Sequence, residues 1–183
     1  EILIGLVGSE MCIRDSLHLY CGSTDLPLSQ EGIEQLETLH YALPPVRFLT
    51  SGMQRTEQTL AVLFGDVPHG QDAAFREIDF GAFEMHSYEQ LKENPDYIAW
   101  ISGDNHRNTP PGGESGEAMT ARVLAGFQRL QLENLPTALI THGGVIAAIM
   151  ESLFPEEQKS RYQWQPEPGH GYVIFDGGYQ AIP

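Results

Sequence analysis

Short apolar runs and amphipathic stretches alternate along almost the whole chain, and this alternation constrains the fold more than any other feature. Residues 2–7, 46–50, 137–141 and 172–175 are brief and apolar, the pattern of buried strands. Between them, 30–43 carries Ile33, Leu36 and Leu39 at helical spacing behind Ser29, a suitable N-cap. Residues 54–64 read as a helix closed by Gly65. The longest helical pattern is 114–134, with Met119, Val123, Phe127 and Leu130 in phase. Residues 75–80 read as strand or extended loop, 88–103 as helix broken near Asn94-Pro95, and 145–153 as helix. Residues 179–182 are expected to pair with 172–175 across Asp176-Gly177-Gly178. This order predicts an α/β protein, a three-layer α/β/α sandwich with a largely parallel central sheet. The stretch at about 66–108 is expected to form a small cap over the sheet's edge.

Composition then restricts the partners. The 183 residues suit one domain, and the net charge of −15 comes from 10 basic and 25 acidic side chains. Such a field repels duplex nucleic acid and anionic membranes, so neither is expected as a partner. No apolar run approaches the roughly 18 residues of a membrane span. A small anionic ligand needs a pocket with its own cations, and all the basic residues except Lys92 and Lys159 are Arg, suited to forked recognition of phosphate. The two cysteines, Cys12 and Cys21, cannot build a disulfide framework, which points to a reducing cytoplasm. The apolar opening lacks a basic region and is not read as a signal peptide. The oligomeric state is not legible.

In open α/β sheets ligands sit beyond the carboxyl ends of strands, which selects the junctions at 7–10, 50–55 and 141–144. In Ile140-Thr141-His142-Gly143-Gly144 a strand ends at a His, and glycines lead into a helix whose amides favour an anion. The alternative is a His that merely caps the strand end. Arg55 stands in the first turn of a helix, where its charge opposes the dipole at a cost of roughly 0.3–1 kcal/mol unless an anion is bound. The alternative is a surface Arg paired with Glu57 or Asp79. Glu77 lies in an apolar, aromatic segment, where partial burial would favour its protonated form and suit it to proton donation. The alternative is a solvated carboxylate. Pro110 to Ser115 reads as a rigid turn into a helix, and its acidic first turn explains it without any site. The seven His are scattered, no metal site stands out, and neither a phosphate-binding GK[ST] loop nor a G-x-S-x-G elbow occurs.

In combination the motifs say more. Gly22-Ser23-Thr24-Asp25-Leu26-Pro27-Leu28-Ser29 is followed by Gly32 and Gln35; Ser51 leads to Arg55 and Gln58-Thr59; then come Glu77 to Glu84, Pro111-Gly112-Gly113-Glu114-Ser115 and Thr141-His142-Gly143-Gly144. In this order they resemble the histidine phosphatase superfamily, the phosphoglycerate mutase-like fold, with Met85 where the family usually has Gly. The resemblance implies phosphomonoester hydrolysis of a small phosphorylated metabolite through a phosphohistidine, with no metal and no cofactor. It implies Arg55 as a phosphate clamp, His142 as the second His and Glu77 as general acid. Gly22, Ser23, Thr24 and Gly143 would contribute to substrate binding. Length and a short cap fit the alpha-ribazole phosphatase type. The alternatives are phosphoglycerate mutase-type phosphoryl transfer and a pseudophosphatase that binds a phosphorylated ligand without turnover.

One part of the family pattern is missing. The first strand should end in R-H-G, and the chain has Gly8-Ser9-Glu10 at that place. His18 lies too near Gly22 to replace the missing imidazole. Residues 1–16, with the adapter-like string Glu10-Met11-Cys12-Ile13-Arg14-Asp15-Ser16, are read as a foreign segment ahead of a domain at 17–183. A true pseudoenzyme is the competing explanation. Either way the chain as written is expected to be impaired.

Overall fold

The computed structural model describes residues 4–8, 19–41, 44, 46–104 and 106–182, the first of these as backbone. Six strands form one sheet: β1 (Ile4–Gly8), β2 (Arg47–Thr50), β3 (His69–Gln71), β4 (Thr137–Thr141), β5 (Gly171–Phe175) and β6 (Gly178–Ile182). Their order across the sheet is β3-β2-β4-β1-β5-β6. The pairs β3–β2, β2–β4 and β4–β1 are parallel, while β1–β5 and β5–β6 are antiparallel. Gly8 at the end of β1 is level with Thr141 at the end of β4, and Thr50 of β2 with Ile140. Three parallel strands therefore finish at one edge, where the candidate residues gather.

The sheet is covered on both sides because its strands alternate. Leu49 and Leu139 point to one face, packing with Met119, Val123 and Phe127 of α5 (Gly116–Glu133), Val145 to Met150 of α6 (Gly143–Leu153) and Trp164 of α7 (Arg161–Trp164). Phe48, Ala138 and Ile140 point to the other face, against Leu60 of α2 (Gln54–Phe64), beside which lies α1 (Gln30–Leu36). Period-two alternation through β2 and β4 thus builds the expected three layers. β4 is buried along its whole length, as a central parallel strand requires.

A separate small core lies within the stretch expected to form a cap. A 3-10 turn at Gly81–Phe83, α3 (Tyr88–Leu91) and α4 (Pro95–Ile101) bury Phe83, Leu91 and Tyr97 with Tyr20, Phe80 and Trp100 packed around them. Asn94 caps α4 and Pro95 opens it, so the expected break falls between two short helices. The backbone of Tyr20 bonds His86 and Met85, tying the cap to the segment before the first motif.

Several boundaries differ from the sequence reading. α1 stops at Leu36 rather than at 43: the Thr38 hydroxyl takes the Gln35 carbonyl and the chain turns away. Residues 75–80 hold no strand; a 3-10 turn at Ala73–Phe75 leads into irregular chain. β3 arises within the 66–108 stretch and joins the main sheet as an edge strand. Of residues 1–16, Ile4–Gly8 form β1 in the sheet interior, and the remainder lies outside the described residues. Among the described residues no helix is long and apolar enough to cross a membrane.

Candidate active site

β2 and β4 end side by side, and their first residues beyond the sheet meet. His142, N-cap of α6, and Arg55, in the first turn of α2, are both fully buried. Arg55 Nε donates to His142 Nδ1 at 3.2 Å. An Nδ1 that accepts leaves the ring proton on Nε2, which donates to Ser51 Oγ at 2.9 Å. Ser51 Oγ also accepts from the Met53 amide and passes its own proton to Thr56 Oγ1, which donates to the Met53 carbonyl. The imidazole is thereby held in one tautomer and one orientation.

The other end of the guanidinium is bracketed by backbone. Nη2 donates to the Gly22 carbonyl at 2.8 Å and Nη1 to the Thr24 carbonyl at 3.1 Å. Among the described residues every hydrogen-bond partner of Arg55 is therefore neutral; the expected alternatives Glu57 and Asp79 are engaged elsewhere, Glu57 with His69 and Asp79 with Ser23. The bracket is itself held by a carboxylate. Glu84 accepts from the amides of Gly22, Ser23, Thr24 and Phe80, and from the hydroxyls of Ser23 and Thr24. The backbone of Gly22 to Thr24 is thus turned inward, its amides to Glu84 and two of its carbonyls to Arg55. Gly22 is required there: a Cβ would sit 1.7 Å from the Ile78 carbonyl oxygen. Asp25 completes the loop by accepting from the Gln54 amide, so it caps α2, whose own Met53 offers no side-chain cap.

Glu77 is buried and lies on the α6 side of the cluster. Oε2 accepts from the Gly144 amide at 3.0 Å and Oε1 from the Ile78 amide at 2.9 Å. A Cβ on Gly144 would approach Glu77 Oε1 to 2.5 Å, which explains the second glycine after His142. The Glu77 backbone is fixed from below by Arg122 of α5, which donates to the carbonyls of Ala74, Arg76 and Glu77 and pairs with Glu114. The Pro-Gly-Gly turn presses on the same segment: Gly113 lies so close to the Asp79 carbonyl, and Gly81 to the Pro111 carbonyl, that a Cβ at either would come within 2.4 Å or 2.2 Å. A cleft of about 630 Å³ reaches this cluster at Glu77 and Gly144 and runs outward between the cap and α7.

Thus Arg55, His142, Glu77, Gly143, Gly22, Ser23 and Thr24 converge at the carboxyl edge of the sheet. Ser9, Glu10 and His18 lie outside the described residues. Residues 14–177 match the model of the histidine phosphatase superfamily (branch 1). The chain belongs to this superfamily. An adenosylcobalamin/alpha-ribazole phosphatase from Salmonella typhimurium is 32% identical over 162 residues, 82% of this chain and 79% of that protein. The crystal structure of the alpha-ribazole phosphatase from Shigella flexneri superposes with a TM-score of 0.84 at 24% identity, over 99% of this chain and 95% of that one, a likeness of fold. Phosphoglycerate mutase from Thermus thermophilus superposes with a TM-score of 0.75 at 28% identity, over 100% and 97%. The phosphoglycerate mutase-like three-layer fold expected from the sequence is thereby established.

Sequence reasoning missed the residues that hold this candidate site together through hydrogen bonds to backbone. Glu84 was visible only as a motif letter, because its partners lie about sixty residues away. Ser51 and Asp25 stood in the quoted motifs without an assigned bond, and Arg122 stood in none. The S-x-x-x-R spacing was the one available signal for Ser51, since it places a hydroxyl at the strand end and a cation in the next helical turn.

Proposed function

We propose that the site binds a phosphomonoester of a small metabolite and belongs to an alpha-ribazole phosphatase-like design, with this chain impaired by the absent R-H-G. The observation that carries the reading is the buried Arg55–His142 contact of 3.2 Å at the ends of β2 and β4. It gathers a guanidinium and an imidazole, with no carboxylate partner to Arg55 among the described residues, inside a protein of net charge −15. A guanidinium so placed suits the oxygens of a transferring phosphoryl group, and His142 would join it by redirecting its Nε2 proton from Ser51 to one of them.

In the complete route, an imidazole nitrogen bonds to phosphorus as the ester P–O bond breaks. Glu77 gives its proton to the departing oxygen. Water then attacks the phosphohistidine, gives a proton to Glu77, and releases phosphate. Arg55, joined by His142 once its Nε2 proton turns from Ser51, would hold the equatorial oxygens throughout. Gly8-Ser9-Glu10 offers no imidazole for the first step, which favours phosphate binding without turnover as a second reading for the chain as written.

Hydrolysis of an aryl phosphate, together with melting in orthovanadate, tests both. The chain as written is expected to show little or no turnover and a vanadate-raised Tm, since a ligand that binds only the folded state stabilises it. Gly8→Arg, Ser9→His and Glu10→Gly together should restore hydrolysis, and Arg55→Ala should abolish the vanadate shift. Full activity that survives His142→Ala, or a vanadate shift indifferent to Arg55, would overturn the assignment.

A further inference from the structure

The cleft leading away from Glu77 has one wall of interlocked rings. Tyr20 lies edge-on to Phe80 at 5.3 Å and to Trp100 at 5.7 Å, and Phe80 lies edge-on to Trp100 at 5.9 Å. Tyr20 is fixed further by a 2.7 Å hydrogen bond between its hydroxyl and that of Tyr97. Across from this wall stands Tyr162 of α7. Its side chain lines the cleft, is 83% exposed, and makes no hydrogen bond among the described residues.

The base beneath Tyr162 is rigid although the ring itself is uncovered. Ser160 and Gln163 form a reciprocal cap at the start of α7. Arg161 donates to Thr120 Oγ1 at 2.7 Å and to Glu151 at 3.3 Å, and Trp164 is buried edge-on to Tyr172 and Tyr179. A large ring held out over a cleft on an anchored turn is poised to make contact, because a tyrosine ring offers a large contact area with few rotors to order. The phenol of Tyr20 is driven above its ordinary range by burial first and by Tyr97 next, with Tyr162 near enough to add to the effect. Both walls line the same cleft. Among the described residues that line the cleft the one guanidinium, Arg161, is paired with Glu151, and the carboxylates of Glu77 and Glu151 disfavour an acidic group on the ligand.

We infer that Tyr162 is a specificity-determining residue: it closes an aromatic slot on the organic part of the substrate and selects a planar, uncharged ring system over a short acidic chain. This deepens the phosphomonoester reading and rests on it.

The test uses the full chain and its Tyr162→Ala and Tyr162→Phe variants, titrated with 1-naphthyl phosphate, glycerol 1-phosphate, orthovanadate and 1-naphthol. The parent should prefer naphthyl phosphate to glycerol phosphate. Tyr162→Ala should weaken both naphthyl ligands about tenfold, the scale of one lost ring stack, and leave vanadate affinity unchanged. Tyr162→Phe should keep the parent's affinities, since the ring rather than the hydroxyl makes the contact. Naphthyl affinity untouched by Tyr162→Ala, an equal loss for all ligands, or no preference in the parent would overturn the inference. A parent that ignores vanadate yet binds 1-naphthol through Tyr162 would refute the phosphomonoester reading alone.

Discussion

Replacing Glu84 by Gln tests whether a distant carboxylate holds the phosphate clamp in place. Oε1 accepts from the amides of Gly22, Ser23 and Phe80 at 3.1, 2.9 and 2.9 Å; Oε2 accepts from the Gly22 and Thr24 amides and the Thr24 hydroxyl at 3.0, 3.3 and 2.6 Å. The least costly Gln places its amide nitrogen at Oε2. Gly22 then keeps Oε1 and the Thr24 hydroxyl turns to accept, but the Thr24 amide faces another donor. Losing that bond and reducing the rest from charge-assisted to neutral should cost about 2–4 kcal/mol. For a chain of this size that is a Tm lower by roughly 5–15 °C. The Gly22 and Thr24 carbonyls would also loosen their hold on Arg55, so vanadate should stabilise the variant less than the parent. Thermal melts with and without vanadate read both effects. A Tm within about 2 °C of the parent would refute the bonding argument. A lowered Tm with an undiminished vanadate response would show that the bracket does not govern Arg55.

Gly144→Ala should push the Glu77 carboxylate from its seat, since the new Cβ would stand 2.5 Å and 3.0 Å from its two oxygens. In the chain carrying the restored R-H-G, aryl phosphate turnover should fall about 10²-fold with Tm little changed, and unchanged kinetics would refute it. Gly22→Ala meets backbone rather than a movable side chain, so urea unfolding should register a loss of about 3 kcal/mol or more. His69 has its pKa raised by its bond to the Val67 carbonyl and then by Glu57. A raised folded-state value adds stability that is complete below the ordinary His value near 6.5 and disappears as pH rises through the raised one. His69→Gln should flatten that part of the pH–stability curve, and an unaltered curve would count against the pair.

What the sequence made legible was local. β4 and α2 could be read at their observed ends because Ala138-Leu139-Ile140 is an apolar run between β-branched threonines and Gly65 offers a clear stop. The convergence of Arg55 and His142 followed from a topological rule about strand ends, not from either residue alone. β3 was illegible: His69-Gly70-Gln71 has no apolar residue, is exposed throughout, and is a strand only because β2 offers it an edge. α7 went unread because it is one turn long, although Ser160 and Gln163 stand at capping-box spacing. Glu84 could not be assigned a task, because a carboxylate's role is set by donors the chain brings from elsewhere.

The neutral surroundings of Arg55 have a consequence for how anions arrive. Peptide dipoles solvate the guanidinium without cancelling its charge, so its pull on an anion survives at close range, while the rest of the molecule pushes the same anion away from afar. Ions in solution shorten the reach of both fields to about 8 Å at physiological strength, which removes most of the repulsion and little of the final grip. Moderate salt should therefore quicken capture of a phosphorylated ligand, the reverse of the behaviour of a protein that draws anions in with a basic surface.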